Sequence, residues 1–324
     1  MRPWLQRRTL AAALVASLAG PVALPAATRD FETLLQEDFE TGDFTAEGGL
    51  YYKKNFEQSA GTVEFQSDVV RSGKGALRLS VRPICPPGQD DCSERAEVWE
   101  RTKLWAPYDR GMWYRFSVKL AEPVPDDDHR YLIAQWKRQI LPNAKGDFSP
   151  FLALRMNRGK LFATVETNLL AASRQEAKGT AAECTSGQAQ VWLRPDTNQT
   201  RALIATDGSF VRADGRLFNA CSAGLTVIER GHKLPGAGSG WIDFVIYTKP
   251  GPDGTGHIEI FAGGRWIVTV KGHIGHGDPG LGSHQYFKFG PYRAAGARTW
   301  TLYYDDFRRS PRCADVMEKV LCPF

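Results

Sequence analysis

Tyr286-Phe287-Lys288-Phe289-Gly290-Pro291-Tyr292-Arg293 alternates aromatic and polar side chains along its length. A strand turns successive side chains to opposite faces. Phe287, Phe289 and Pro291 then share one face, which has the make-up of a core surface. Tyr286, Lys288 and Tyr292 share the other, with Gly290 leaving a gap between them. The stretch therefore belongs to a half-buried strand with a phenol and an ammonium on its accessible side. An ordinary polar strand face gives the same alternation, so its meaning depends on what the rest of the chain brings beside it.

The same period recurs elsewhere. In residues 111–120, Met112, Tyr114, Phe116, Val118 and Leu120 alternate with Trp113, Arg115, Ser117 and Lys119. In 131–139, Leu132, Ala134 and Trp136 oppose Tyr131, Ile133, Gln135 and Lys137. Residues 76–81 alternate likewise, and 93–101 put Arg95, Glu97 and Trp99 opposite Ala96 and Val98. Residues 151–157 and 160–167 read as a hairpin turning at Asn157-Arg158-Gly159, and further strands fall at 241–248, 257–261 and 265–270. Residues 272–282 (GHIGHGDPGLG) read as loop. Short strands bounded by turns, in a chain with 32 glycines and 19 prolines, predict an all-β fold. Many short strands with long connections predict a concanavalin A-like β-jelly roll, a sandwich of two antiparallel sheets whose curved sheet forms a groove. The 324 residues suffice for one large core. Residues 168–238, rich in Ala, Thr, Gly and Ser with weak periodicity, read as a loop-rich insertion that covers or borders a cleft, within a single domain spanning 28–324.

Residues 1–27 read as an export signal: Arg2, Arg7 and Arg8, then a short apolar run, then small residues at Ala26 and Ala27. Its removal implies a secreted or periplasmic protein, with no membrane anchor in the remainder. The formal net charge of +5 falls to +2 from Arg29 onward. That mild balance, with no basic run of nucleic-acid motif spacing, argues against a nucleic-acid partner. Six cysteines in an exported chain favour disulfides, and fifteen pairings are open. The simplest is Cys85–Cys92, Cys184–Cys221 and Cys313–Cys322. Zinc is the competing reading, but no CxxC or HxxxH spacing is present. Residues 36–42 and 302–307 read as terminal strands that pair. Glu40 and Asp306 would then meet, and such oxygens suit a structural calcium ion; solvated turn acids are the alternative reading.

Three strands carry polar side chains that would converge if they line one groove: Arg95 and Glu97, Gln135 and Lys137, and Tyr286, Lys288 and Tyr292. That set suits β-elimination in a uronate polysaccharide. Cationic and amide donors neutralise the sugar carboxylate and stabilise an enolate-like intermediate. A base takes the proton alpha to it, and an acid protonates the leaving oxygen.

Here the chain resembles a known family. Jelly-roll alginate lyases carry Arg-x-Glu-(Leu/Val), Gln-(Ile/Val)-His and Tyr-x-Lys-x-Gly-x-Tyr strands, and heparin lyase I and glucuronan lyase look like relatives. The matching residues are Arg95-Ala96-Glu97-Val98, Gln135-Trp136-Lys137 and Tyr286-Phe287-Lys288-Phe289-Gly290-Pro291-Tyr292, in the same order. The resemblance spans about residues 36–308. It implies a monomeric polysaccharide lyase that needs no cofactor for its chemistry and acts on an acidic polysaccharide. Arg95 and Gln135 would neutralise the carboxylate, and Tyr292 would serve as base and acid. Lys137 stands where the family has His, the usual base near neutral pH, and would help bind the carboxylate; a loop histidine such as His273, His276 or His284 is another source of that group. Lys288, Tyr286, Glu97, Arg293 and Trp99 would contact substrate, with Glu97 also holding Arg95, and Arg138 and Arg155 would extend the basic track. The Lys137 substitution also fits a non-catalytic, lectin-like carbohydrate-binding protein on the same fold. A glycoside hydrolase would need two flanking carboxylates, and no Glu-x-Asp-x-x-Glu strand is present.

Overall fold

The computed structural model describes residues 30–53, 59–86, 89, 92–146, 148–168, 175–176 and 184–324. The export signal read at 1–27 lies outside them. The strands, in chain order, are β1 (Leu35–Glu37), β2 (Leu50–Tyr52), β3 (Gly61–Gln66), β4 (Ala76–Val81), β5 (Glu94–Arg95), β6 (Val98–Glu100) and β7 (Ala106–Pro107). Then come β8 (Met112–Leu120), β9 (Tyr131–Ile140), β10 (Leu152–Asn157), β11 (Lys160–Asn168), β12 (Gln175–Glu176), β13 (Ala189–Arg194) and β14 (Gln199–Thr206). The last are β15 (Ala220–Ser222), β16 (Leu225–Glu229), β17 (Trp241–Lys249), β18 (Gly251–Ala262), β19 (Arg265–Ile274), β20 (Leu281–Arg293) and β21 (Trp300–Ser310). Among the described residues there is no α-helix, and so none able to cross a membrane.

The strands form two antiparallel sheets stacked as a β-jelly roll. The back sheet runs β16-β19-β18-β17-β8-β21-β4-β3, with β1 on β21. The front sheet runs β12-β15-β13-β14-β11-β10-β9-β20-β6-β2, with β5 and β7 also on β20. The core lies between them because each strand's apolar face has nowhere else to leave water. Phe287 and Phe289 of β20 pack against Phe116 of β8 and Tyr304 of β21, with ring centroids 4.5–6.5 Å apart. Trp136 of β9 lies 4.6 Å from Phe287. The outward residue Trp113 is buried as well. It joins Tyr247, Phe261 and Val316 in a second cluster on the outside of the back sheet, under a C-terminal tail closed by Cys313–Cys322.

All three disulfides follow the simplest pairing: Cys85–Cys92, Cys184–Cys221 and Cys313–Cys322. The hairpin β10–β11 turns at Arg158 and Gly159, whose φ values of 49° and 70° are the positive pair that a two-residue hairpin turn requires.

Four expectations are corrected. The 168–238 segment is not loop alone: β13, β14 and β15 extend the front sheet, and β16 joins the back sheet. Their apolar faces are small (Ala189, Ala202, Ala220), so the periodicity was muted. The 272–282 loop is shorter than expected, because β19 runs to Ile274 and β20 begins at Leu281. On β9 the alternation slips beside a register shift against β10, so Ile133 joins the core while Leu132 faces the groove. The Ile133 carbonyl takes the Tyr304 hydroxyl at 2.7 Å across the sandwich, which satisfies that buried phenol. Finally, β1 does pair with β21, but Glu40 and Asp306 do not make a calcium cradle. The Glu40 carboxylate accepts the backbone N–H groups of Lys74 and Gly75, and Asp306 accepts the Ser72 hydroxyl. The N–H donors already satisfy the Glu40 carboxylate and put positive dipoles where a cation would sit, so Glu40 does not fit a calcium ligand. Among the described residues no three His, Cys, Asp or Glu side chains gather as a metal would need.

Candidate active site

The front sheet's outer face carries a groove of about 630 Å³. β20 runs through it, with β9 on one side and β5 and β6 on the other. Register places Lys288 beside Gln135 and Trp99, and Tyr292 beside Leu132 and Arg95. Arg95, Gln135, Lys137, Lys288 and Tyr292 all line the groove. Five residues spread over nearly two hundred positions thus meet because three strands are neighbours in one sheet.

β20 holds this register through Gly290. Its φ is 126°, and a Cβ there would run into the Ala96 carbonyl oxygen between β5 and β6. The gap seen in the sequence is thus where the neighbouring backbone comes close.

Glu97 organises the floor. Its carboxylate accepts the Lys288 ammonium at 2.9 Å and the Gln135 side-chain amide. All three side chains are buried. The sequence reading paired Glu97 with Arg95; the structure puts Lys288 on it instead. Burial holds the Lys288 amine below the ordinary lysine range, with the Glu97 charge opposing. Gln135 has two amide hydrogens, so one on Glu97 leaves one for a ligand.

The Tyr292 ring lies under two cations. The Arg95 guanidinium is 4.2 Å from its centroid and that of Arg130 4.8 Å. Arg130 was not singled out from the sequence. It precedes β9 in a loop with no period to mark it, and only its place over β20, eleven strands later in the chain, reveals it.

Two of the expected contact residues are not on an open face. Tyr286 is stacked between Trp99 and Trp105, 5.3 and 4.6 Å between centroids, and burial pushes its phenol well above the ordinary range. It braces Trp99, whose ring also receives the Lys53 and Lys288 ammonium groups at 3.9 and 4.3 Å. Arg293 is buried and bonded through Nε to Glu94 at 2.6 Å. The alternation that turns Tyr292 outward turns Arg293 inward, so it is a core ion pair. Of the other basic candidates, Arg155 lines the groove, while Arg138 is tied to the Gly282 carbonyl and lies over Tyr108. Among the histidines, His129 stands on the groove rim, paired with Asp127 at 3.3 Å. His276 is buried against Phe148, and burial holds its imidazole below the ordinary range. His273 is tied to the Pro252 carbonyl and His284 lies beside Gln139.

The former insertion supplies the far wall: Trp192 and Arg194 of β13 and Arg201 of β14. The signal for them was present, since Ala202 and Ile204 alternate with Arg201 and Val191 sits between Gln190 and Trp192. Small and polar neighbours hid it. Nine lysine and arginine side chains line the groove against two aspartates, Asp128 and Asp214. The arrangement can hold an extended polyanion and set a phenol and an amide against one of its groups.

The sequence model of the family described as Polysaccharide lyase matches residues 39–308. No curated protein sequence matches the chain significantly. Among solved structures, an endo-beta-1,4-glucuronan lyase from the fungus Trichoderma reesei is similar, with a TM-score of 0.55 and 17% identity over 88% of this chain and 97% of that one. The cellulose induced protein Cip1 gives a TM-score of 0.44 and 16% identity over 86% and 97%. Alginate lyase A1-II', of polysaccharide lyase family 7, gives 0.40 and 11% over 76% and 82%. At 17% identity the likeness to the glucuronan lyase is one of fold.

Proposed function

The chain belongs to the polysaccharide lyase family, and from that premise we propose that it cleaves a uronate-containing polysaccharide by β-elimination in the front-sheet groove. The observation that carries this reading is the Tyr292 phenol, set under Arg95 and Arg130 in the same groove that Gln135 and Lys137 line. Arg95, Lys137 and the free amide hydrogen of Gln135 neutralise the sugar carboxylate, which makes the neighbouring C–H proton acidic. Tyr292 acts as the base, and its oxygen takes that proton. The electron pair of the C–H bond becomes the new C=C bond, and the C–O bond to the departing sugar breaks. That oxygen receives the proton back from Tyr292, so the residue ends as it began. The scheme asks for no cofactor. Three disulfides fit an exported protein, and a groove built by one chain fits a monomer.

Glucuronan heads the substrate panel because the glucuronan lyase shares the fold; alginate, heparin, heparan sulfate and hyaluronan complete it. Cleavage is read as rising ultraviolet absorbance of the unsaturated uronate. A rise with one polymer that is lost in Tyr292→Phe is the expected result. A rise that persists in Tyr292→Phe overturns the role given to the phenol. Binding without cleavage on any of these polymers points to the lectin-like alternative, with Lys137 in place of histidine as its cause.

A further inference from the structure

Glu166 of β11 is completely buried, and three arginines answer its one carboxylate. Arg201 Nε lies 2.6 Å from Oε1, Arg155 Nη2 3.4 Å from the same oxygen, and Arg194 Nη1 3.4 Å from Oε2. All three arginines line the groove, and the Trp192 ring lies 5.4 and 5.2 Å from the Arg194 and Arg201 guanidinium carbons. Joining β14 to β11 would need one such pair. Arg155 also donates to the Thr164 hydroxyl, and Arg194 to Ser149 and Gln199, so both are held in place beside the one carboxylate. Burial and the charges of Arg201, Arg130 and Arg194 together hold Arg155 well below the ordinary arginine range. The contact of Arg201 with Glu166 uses Nε alone, so it leaves the guanidinium's two terminal amino groups for another acceptor.

We infer that this cluster is a second carboxylate-binding site, which takes the uronate carboxylate of another sugar in the same polysaccharide chain. β11 is three strands from β20 in the front sheet, or about 14 Å across it at the usual strand spacing. Glu166 also stands four residues along β11 from Phe162, which shares the row of Tyr292; a sugar unit of a linear chain is about as long as one strand spacing, so the sugar held here lies about four units from the one at Tyr292. The site rests on the substrate class proposed above and adds to it. The enzyme reads charge on sugars away from the scissile bond and therefore favours runs of uronate over isolated ones.

The test is equilibrium binding by calorimetry in the Tyr292→Phe background, without and with Arg201→Gln. The probes are hexaglucuronate, diglucuronate and cellohexaose, the last having the same backbone without carboxylates. Arg201→Gln is expected to weaken hexaglucuronate binding about tenfold, as loss of a charge-assisted contact does, and to leave diglucuronate unchanged. Equal affinity for hexaglucuronate with and without Arg201→Gln overturns the inference, as does equal weakening of dimer and hexamer. If Arg201→Gln does not fold, the parent protein decides the matter through salt. Hexaglucuronate binding should fall more steeply with ionic strength than diglucuronate binding, and equal slopes overturn the second site. Failure of the parent to prefer hexaglucuronate over cellohexaose is instead the failure of the uronate reading itself.

Discussion

Glu97 ties together two of the strands that line the groove. Its carboxylate fixes the Gln135 amide and neutralises a buried ammonium on Lys288. Glu97→Gln would leave that ammonium without a countercharge. Removing one partner of a buried ion pair costs about 3 kcal/mol or more, so urea unfolding should show a loss of that order. Glu97→Gln combined with Lys288→Met should recover most of it, since an apolar pair of similar volume is often neutral. A single variant as stable as the parent would show that the pair contributes nothing to folding. Tyr286, by contrast, was expected to contact substrate and instead fills an aromatic stack. An aromatic and a neighbouring tryptophan exclude more water by stacking on each other than by standing apart.

At the scale of the element, β20 depends on Gly290. A side chain there needs both an unfavourable φ of 126° and room that the Ala96 carbonyl occupies. Gly290→Ala is expected to cost about 2–3 kcal/mol from the strained backbone alone. Because β5 and Tyr292 are paired through the same stretch, cleavage should fall further than the lost folded fraction explains. Calorimetric melting and the initial cleavage rate, measured on the same preparation, check both. An unchanged melting temperature would mean that β5 and β6 yield without cost. The β13–β15 segment is an element of a different kind. It is tied at its ends by Cys184–Cys221 and ranged beside β14, and it converts a sheet edge into a groove wall.

For the whole molecule, the relevant quantity is the local field rather than the formal charge. The chain is only mildly basic, yet its groove sets nine cations against two aspartates. A groove lined by one sign of charge draws in polyanions, and salt weakens that attraction. Raising ionic strength from about 0.05 to about 0.5 M shortens the screening length from above 10 Å to about half that or less. KM for an acidic polysaccharide should then rise several-fold while kcat changes little. A KM insensitive to salt would place the affinity in uncharged contacts instead.

Local alternation was enough to separate the core side from the other side of β8 and β20. Phe287 and Phe289 against Lys288, and Met112 to Leu120 against Arg115 and Lys119, follow from a period of two that belongs to the strand itself. The simplest of the fifteen cysteine pairings also held, and for Cys85–Cys92 and Cys313–Cys322 a short loop keeps the partners near each other. The motif residues Arg95, Gln135, Lys137 and Tyr292 could be named for the same reason: each stands on the non-core side of a strand. What the sequence could not determine was set by neighbours distant in the chain. The slip that exchanges Ile133 and Leu132 depends on how β9 fits β10. The choice of Lys288 as the partner of Glu97 depends on β20 lying against β6. The recruitment of Arg130, Arg194 and Arg201 depends on strand order across the front sheet. A sequence fixes which way a side chain points from its own strand; which strand lies next to it is decided only when the two sheets close over a common core.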